Sequence, residues 1–346
     1  MPNKDESPQL IDIKEDDLLA LSAEVLDTLL RDHTTGKNIF WATHDYEALG
    51  SEYDYHSEIL PHLITGEHGM VIRPRVLKSK EEQTDRAKDM AEVFTPSWVC
   101  NAQNNLVDEA WFGRKDVFNV EDATKHTWKA NPEKIEFPEG KTWRDYVCDT
   151  RLEVTCGEAP YLVSRYDTTT GIYIPVNERI GILDRKLRVI NENVDREAEW
   201  VSAAKVAYMS TYGYEWQGDN LLLAREALLW AFIENYQMKF EKMPSVYHQL
   251  QTIAYITSWN IWQMDGMKMV VPDSCHAVPA QGSYDLFGEP VMEQCNGCKN
   301  GTITGHNGLL CLVRDWEILY KHTPEKPLTG KKGKKIPFLH VLKPKK

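Results

Sequence analysis

The stretch Arg151-Leu-Glu-Val-Thr-Cys-Gly-Glu-Ala-Pro-Tyr-Leu-Val-Ser-Arg-Tyr-Asp167 decides how the chain is read. Apolar Leu152 and Val154 alternate with polar neighbours and run into Cys156-Gly157, and the short apolar run Tyr161-Leu162-Val163 follows. This pattern predicts a strand, a tight glycine turn, and then a helix or a loop. A turn at the carboxyl end of a first strand is where doubly wound sheets hold nucleotide-like ligands. A turn glycine also occurs in any α/β protein, so the flanking stretches decide.

Downstream, Arg179 to Ile190 predicts a second strand and turn, and Glu197 to Met209 a helix. Ser210-Thr-Tyr-Gly-Tyr-Glu215 then reads as a strand ending in an acid, followed by a turn and a long helix to about Phe240. An acid at the end of the second strand can accept both hydroxyls of a ribose, the place Glu215 takes. The apolar run Leu250 to Ser258 leads into Trp259-Asn-Ile-Trp-Gln-Met-Asp265, which puts Asp265 on the same presumed edge of the sheet.

Upstream, residues 114–145 read as a polar connector. A charged helix from Lys78 to Met90 precedes Ala91-Glu-Val-Phe-Thr-Pro-Ser-Trp98. There, Thr95 suits an N-cap and Pro96 the first helical position, leaving N–H groups for an acceptor. Asp17 to Arg31 has apolar residues at helical spacing, and the polar, acidic residues 1–17 are expected to form a disordered leader. Thr34-Thr-Gly-Lys37 lacks the first glycine and spacing of a phosphate loop and is read as a turn.

Composition bounds the class. The 346 residues are 42% hydrophobic with 11 Trp and 15 Tyr, enough for a packed core, which argues against global disorder. The sequence has no run of 18 apolar residues and no secretory signal, so a cytoplasmic protein without a membrane contact is expected. Seven cysteines in such a chain argue against a disulfide framework. Net charge is −12, but nine Lys and one Glu fall between Lys321 and Lys346, a basic end that suits a nucleic-acid contact or a solubilising tail. Cys295-Asn-Gly-Cys298 with His306 and Cys311 has spacing that can close a tetrahedral structural zinc site, and Cys275-His276 can substitute for one ligand.

In this order the segments resemble the adenine-N6 DNA methyltransferases of restriction-modification systems, including proteins labelled restriction endonuclease subunit M. Ala91-Glu-Val-Phe-Thr-Pro96 resembles their Gly-Glu-Val-Phe-Thr-Pro motif, and Glu153-Val-Thr-Cys-Gly-Glu-Ala159 resembles Asp-Pro-Ala-Cys-Gly-Ser-Gly. Tyr212-Gly-Tyr-Glu215 resembles the ribose-binding acid, and Asn260-Ile-Trp-Gln-Met-Asp265 the Asn-Ile-x-x-Gly-Asp segment beside adenine. The resemblance covers about 85–275. It implies a doubly wound, Rossmann-like α/β domain at 85–275 that binds S-adenosyl-L-methionine (SAM). Around it lie a leader and helical region at 1–84, a zinc-knuckle-like element at 276–320 and a lysine-rich tail at 321–346. The cofactor-binding residues it implies are Phe94, Thr95, Pro96, Glu153, Cys156, Gly157, Glu215 and Asp265.

The chain departs from the family in three places. Glu153 stands for Asp, Ala159 for the second glycine, and the catalytic Asn/Asp-Pro-Pro-Tyr motif is missing, since no Pro-Pro dipeptide occurs. That motif accepts hydrogens from the adenine amino group and stacks on the flipped base. No catalytic residue is therefore assigned. The leading expectation is a SAM-binding subunit that modifies DNA with a second subunit carrying the catalytic and target-recognition parts. The alternatives are a catalytically inactive DNA- or protein-binding protein with the same fold, and a metal-dependent nuclease using Asp184 and Lys186 of Ile180-Gly-Ile-Leu-Asp-Arg-Lys186.

Overall fold

The computed structural model describes residues 11–89, 95–319 and 327–341, so Phe94 lies outside the described residues. Two short helices, α1 (Glu15–Leu21) and α2 (Ala23–Leu30), replace the single expected one, because Ser22 between them is extended at φ −173°. From Ile11 onward the expected leader is packed, with Ile11 and Ile13 buried. Helices α3 (Lys80–Asp89) and α4 (Ser97–Phe112) follow. The connector holds a hairpin, β1 (Asn119–Asp122) and β2 (Thr127–Ala130), and helix α5 (Trp143–Cys148).

The central unit runs β3 (Arg151–Glu153), α6 (Ile182–Asn193), α7 (Glu197–Met209), β4 (Thr211–Glu215), α8 (Gly218–Phe240), α9 (Gln251–Asn260) and β5 (Ile261–Gln263). Its three strands form a parallel sheet in the order β3-β4-β5. Parallel neighbours need long crossovers, and the helix pairs α6–α7 and α8–α9 provide them. The remaining sheets are two-stranded and antiparallel: β1-β2, β6 (Val278–Tyr284) with β7 (Pro290–Glu293), and β8 (Leu312–Leu319) with β9 (Thr329–Pro337). The molecule is thus mixed α/β, with several helices around small sheets. Part of the lysine-rich stretch is strand β9, held in register against β8.

Arg179 to Ile190 is not a strand. Ile182, Leu183, Leu187, Val189 and Ile190 are buried at helical spacing, and Asp184 caps the helix by accepting from Gly181 N–H (3.2 Å) and Ser164 N–H (2.8 Å). Lys186 is fully buried and donates to Asp149 O (2.6 Å) and Ser210 Oγ (2.7 Å), while burial draws its pKa down to about 7. Both side chains expected in a nuclease site are therefore held inside the fold by capping and packing.

Arg225 on α8 ties the centre together. Fully buried, it donates to Ile261 O of β5 (2.8 Å), Ser258 O of α9 (3.1 Å), Arg31 O (3.1 Å) and Leu29 O of α2. The next residue, Glu226, is buried with neither carboxylate oxygen hydrogen-bonded, near Glu15 and Asp12. Burial first, then the mutual repulsion of these acids, raises Glu226 and Glu15 well above the ordinary range, and burial raises Asp12 to about 6. Folded-state values above the unfolded ones mean stability that is present at acid pH and is lost as pH rises through the folded values. Thermal stability should therefore fall between about pH 5 and 8. Replacing Glu226→Gln should recover about 1–3 kcal/mol at pH 8 and nothing near pH 4, as read from melting curves across that range.

Candidate cofactor cleft and metal centre

The carboxyl edge of the parallel sheet gathers most of the residues expected there. The turn after β3 is tied to the end of β4: Cys156 N–H donates to Tyr214 O (2.8 Å) and Gly157 N–H to Glu215 Oε2 (2.8 Å). Gln217 N–H reaches Glu215 Oε1 at 3.3 Å. The turn alternates left-handed residues, Thr155 (φ 49°), Gly157 (φ 54°) and Ala159 (φ 61°). Ala159 thus takes, with a methyl group, a conformation that favours glycine, and such strain persists where the surroundings over-determine it. Gly213 on β4 leaves room for this turn, since a Cβ there would lie 3.2 Å from Cys156 Sγ.

Glu153 at the end of β3 accepts from Tyr161 N–H (3.3 Å) through Oε1, whereas its Oε2 is buried without a hydrogen-bond partner. Burial is the largest cause raising Glu153 and Glu215 above the usual carboxylate range, and the charge of Glu215 adds to the effect on Glu153. Burial also raises the Cys156 thiol, with both acids next in weight. Helix α4 starts one residue later than expected, with Pro96 as its N-cap, and Ser97 N–H is satisfied by Asp167 Oδ2 (2.7 Å). Thr95 O accepts from Thr168 Oγ1 (3.0 Å), and the phenol of Tyr161 interacts with Thr95 and Cys100. Thr95 thus comes next to the Glu153 end of the sheet.

Asp265 lies past the end of β5, as expected, but its carboxylate shapes a turn. Oδ1 accepts from Met267 N–H (2.9 Å) and Lys268 N–H (3.2 Å), and Oδ2 pairs with Lys268 Nζ (2.9 Å). The sequence reading missed the N-terminal segment that closes over this edge. Phe40 exchanges two hydrogen bonds with the Gln263 side chain (3.1 and 2.8 Å), and Trp41 O accepts from Gly218 N–H (3.0 Å). Trp216 Nε1–H donates to Tyr55 OH (2.9 Å), which donates to Asp273 (2.7 Å), beside a cavity of about 690 Å³ lined by His44, Tyr55, His56 and Asp273. Asp219 at the start of α8 is held well below the ordinary range, against the burial that opposes it, by Arg86 (2.9 Å) and Lys78 (3.3 Å). The only cue in the sequence was an aromatic-rich segment, Phe40 to Tyr55, without periodicity.

A second cluster lies beyond the Asp265 turn. Cys275, Cys295, Cys298 and His306 place their ligand atoms within 4.8 Å of one another. His306 Nδ1 is 3.6 Å from Cys275 Sγ, 3.7 Å from Cys295 Sγ and 3.6 Å from Cys298 Sγ. Tetrahedral zinc with Zn–S about 2.3 Å and Zn–N about 2.0–2.1 Å sets S···N near about 3.6 Å, so the four residues fit such an ion. The other ring nitrogen of His306 sits 2.6 Å from Thr302 O, the outer contact that fixes a ligating imidazole. The knuckle needs Gly297, where a Cβ would lie 2.6 Å from His306 Nδ1. The backbone N–H of Cys298 is the largest cause bringing the Cys295 thiol down to about 6, and that of Asn307 follows. The expected fourth ligand, Cys311, is elsewhere: it is fully buried with Trp262, Met264 and Phe338, and its thiol donates to Gln263 O (3.4 Å). It belongs to the apolar alternation leading into β8, and Cys275 takes its place.

This geometry predicts that the purified chain carries about one zinc ion per molecule by atomic emission. Cys275→Ser and Cys298→Ser should lose it, whereas Cys311→Ser should retain it at the cost of core packing. Retention in Cys275→Ser with loss in Cys311→Ser would reverse the assignment.

No protein-family model, no curated protein and no solved structure matches this chain, so its chemistry rests on these two clusters.

Proposed function

We propose that the chain is the SAM-binding subunit of a DNA adenine-N6 methyltransferase of the restriction-modification type, built on one half of a doubly wound sheet and carrying a structural zinc knuckle. The observation that carries this reading is the bond from Gly157 N–H to Glu215, which joins the glycine turn of the first parallel strand to the acid ending the second. In doubly wound folds these two positions hold the pyrophosphate or its counterpart and the ribose. Glu215 would accept the ribose hydroxyls. Glu153, whose Oε2 is buried and unpartnered, suits the ammonium of the methionine end beside Thr95 and Tyr161. Asp265 would lie on the adenine side. Bound SAM supplies a methyl group on a sulfonium; the residues named here bind and orient it.

The sequence offers no Pro-Pro-aromatic acceptor for the target amine, so a second polypeptide would supply it with the target-recognition part. Leu286 and Phe287 at the tip of the β6–β7 hairpin, 101% and 89% exposed, would suit a contact with such a partner. Contact with DNA is favoured by β9, which exposes Lys331, Lys332, Lys334 and Lys335 on an otherwise acidic chain.

Calorimetric titration with SAM tests the reading. Micromolar binding is expected, weakened at least about tenfold, or 1.4 kcal/mol, by Glu215→Ala. Binding that Glu215→Ala leaves untouched, or no binding to folded, zinc-loaded protein, would remove SAM from the account.

A further inference from the structure

We propose that helix α9 and the β8–β9 ribbon build a phosphate-binding site, formed by Arg314, Lys332 and Lys335 around the rings of Tyr255 and Trp259, at which the backbone of a nucleic acid is held. This deepens the DNA contact of the proposed function, on which it rests for the choice of polyanion, and it does not require SAM.

The ribbon sorts its charges by face. Along β8, Arg314 and Trp316 are buried whereas Asp315 and Glu317 are exposed. Across the ladder Lys334 stands opposite Asp315 and Lys331 opposite Glu317, so each lysine of the outer face has an acid beside it. Lys335 stands opposite Arg314 instead. The register slips between these pairs, with Lys332 and Gly333 as the extra length of β9, and a Cβ at Gly333 would collide with Asp315 O. Bulges of this kind re-aim side chains. Here the bulge brings Lys332 round to the α9 side. Its Nζ lies 4.5 Å from the centre of the Tyr255 ring, and Lys335 Nζ lies 5.1 Å from that of Trp259. Arg314 Cζ is 4.4 Å from the Trp259 ring and 5.8 Å from the Tyr255 ring.

The aromatic rings hold these three cations in place without neutralising them. Among the described residues none of the three forms an ion pair with a carboxylate. Donors are also left over: Arg314 Nε and Trp259 Nε1, in residues 7% and 2% exposed, have no hydrogen-bond partner. His33 is stacked on Trp259 with ring centres 3.9 Å apart and feels the same field. Burial first, then the charges of Arg225, Lys335, Arg314 and Arg31, bring its imidazole down to about 3. The face is thus rich in positive charge and donors and poor in acceptors, on a chain whose net charge is −12. A phosphate group supplies both the negative charge and the acceptor oxygens. Lys332 and Lys335 are exposed and make the first contact.

Fluorescence anisotropy of the full chain with a labelled DNA duplex of about 20 base pairs, in the absence of SAM, tests this. Binding is expected at low salt, with affinity falling as salt rises. Lys332→Gln combined with Lys335→Gln should weaken it at least about tenfold and lower the salt slope by about two. Lys331→Gln combined with Lys334→Gln should weaken it less than about threefold, because an acid already stands beside each of those lysines. All four positions are exposed, and circular dichroism confirms that each variant folds. Inorganic pyrophosphate separates the sources of phosphate. Displacement of the duplex by pyrophosphate assigns the site to single phosphate groups, and resistance to it assigns the site to an extended backbone; either outcome supports the site. Equal losses from the two pairs of substitutions, no binding of the parent chain at low salt, or polyglutamate bound as tightly as the duplex would overturn the proposal. None of these outcomes alters the SAM titration, so the two readings fail separately.

Discussion

The hydrogen bond from Gly157 N–H to Glu215 is the constraint on which the functional half of the molecule depends. It requires the chain to turn back after β3 through left-handed residues, and it requires β4 to lie alongside in parallel. Parallel pairing in turn demands the α6–α7 and α8–α9 crossovers, and these bury Arg225 and the aromatic core around Trp200 and Phe232. The bond also removes a buried carboxylate oxygen from isolation, which would otherwise cost about 1–3 kcal/mol. A carboxylate offers about four acceptor sites, so under the proposed reading Glu215 can keep this bond while accepting from a ligand's hydroxyls.

The structure divides its acids by function. Asp219 is stabilised as an anion by Arg86 and Lys78, and Asp184 works as a helix cap. Glu226 has neither carboxylate oxygen hydrogen-bonded and Glu153 leaves Oε2 without a partner, whereas Glu215 accepts from Gly157 and Gln217; burial lifts all three. Two of those three stand at the carboxyl edge of the sheet. Under the proposed reading, the unpartnered Oε2 of Glu153 is the oxygen at this edge left for a donor that the chain itself does not provide.

Much of the central unit was legible in the sequence, because its signals were local. The helix Glu197–Met209, the strand ending at Glu215 and the helix ending at Phe240 follow from period and from Gly-Asp punctuation. Thr95, Glu153, Cys156, Gly157 and Glu215 were placed together by the order of their segments, and the fold assembles them at one edge. What failed was non-local. Ile182 to Ile190 is apolar enough for a strand, and only the capping contacts of Asp184 with Ser164 reveal the helix. The spacing favours Cys311 and offers Cys275 only as a substitute ligand, because Cys275 lies 20 residues before Cys295 and comes to the knuckle beyond the Asp265 turn. The Phe40–Tyr55 segment covers the sheet edge through Gln263 and Gly218, contacts with no period to read.

Hydrogen exchange with and without SAM tests the central claim most directly, because it reports the backbone of the cleft itself. The account predicts slower exchange confined to peptides spanning Thr95–Cys100, Glu153–Leu162 and Thr211–Gln217, with the zinc knuckle unchanged. Exchange in those peptides that is indifferent to SAM, or protection elsewhere, would contradict the placement of the cofactor at the carboxyl edge of the parallel sheet.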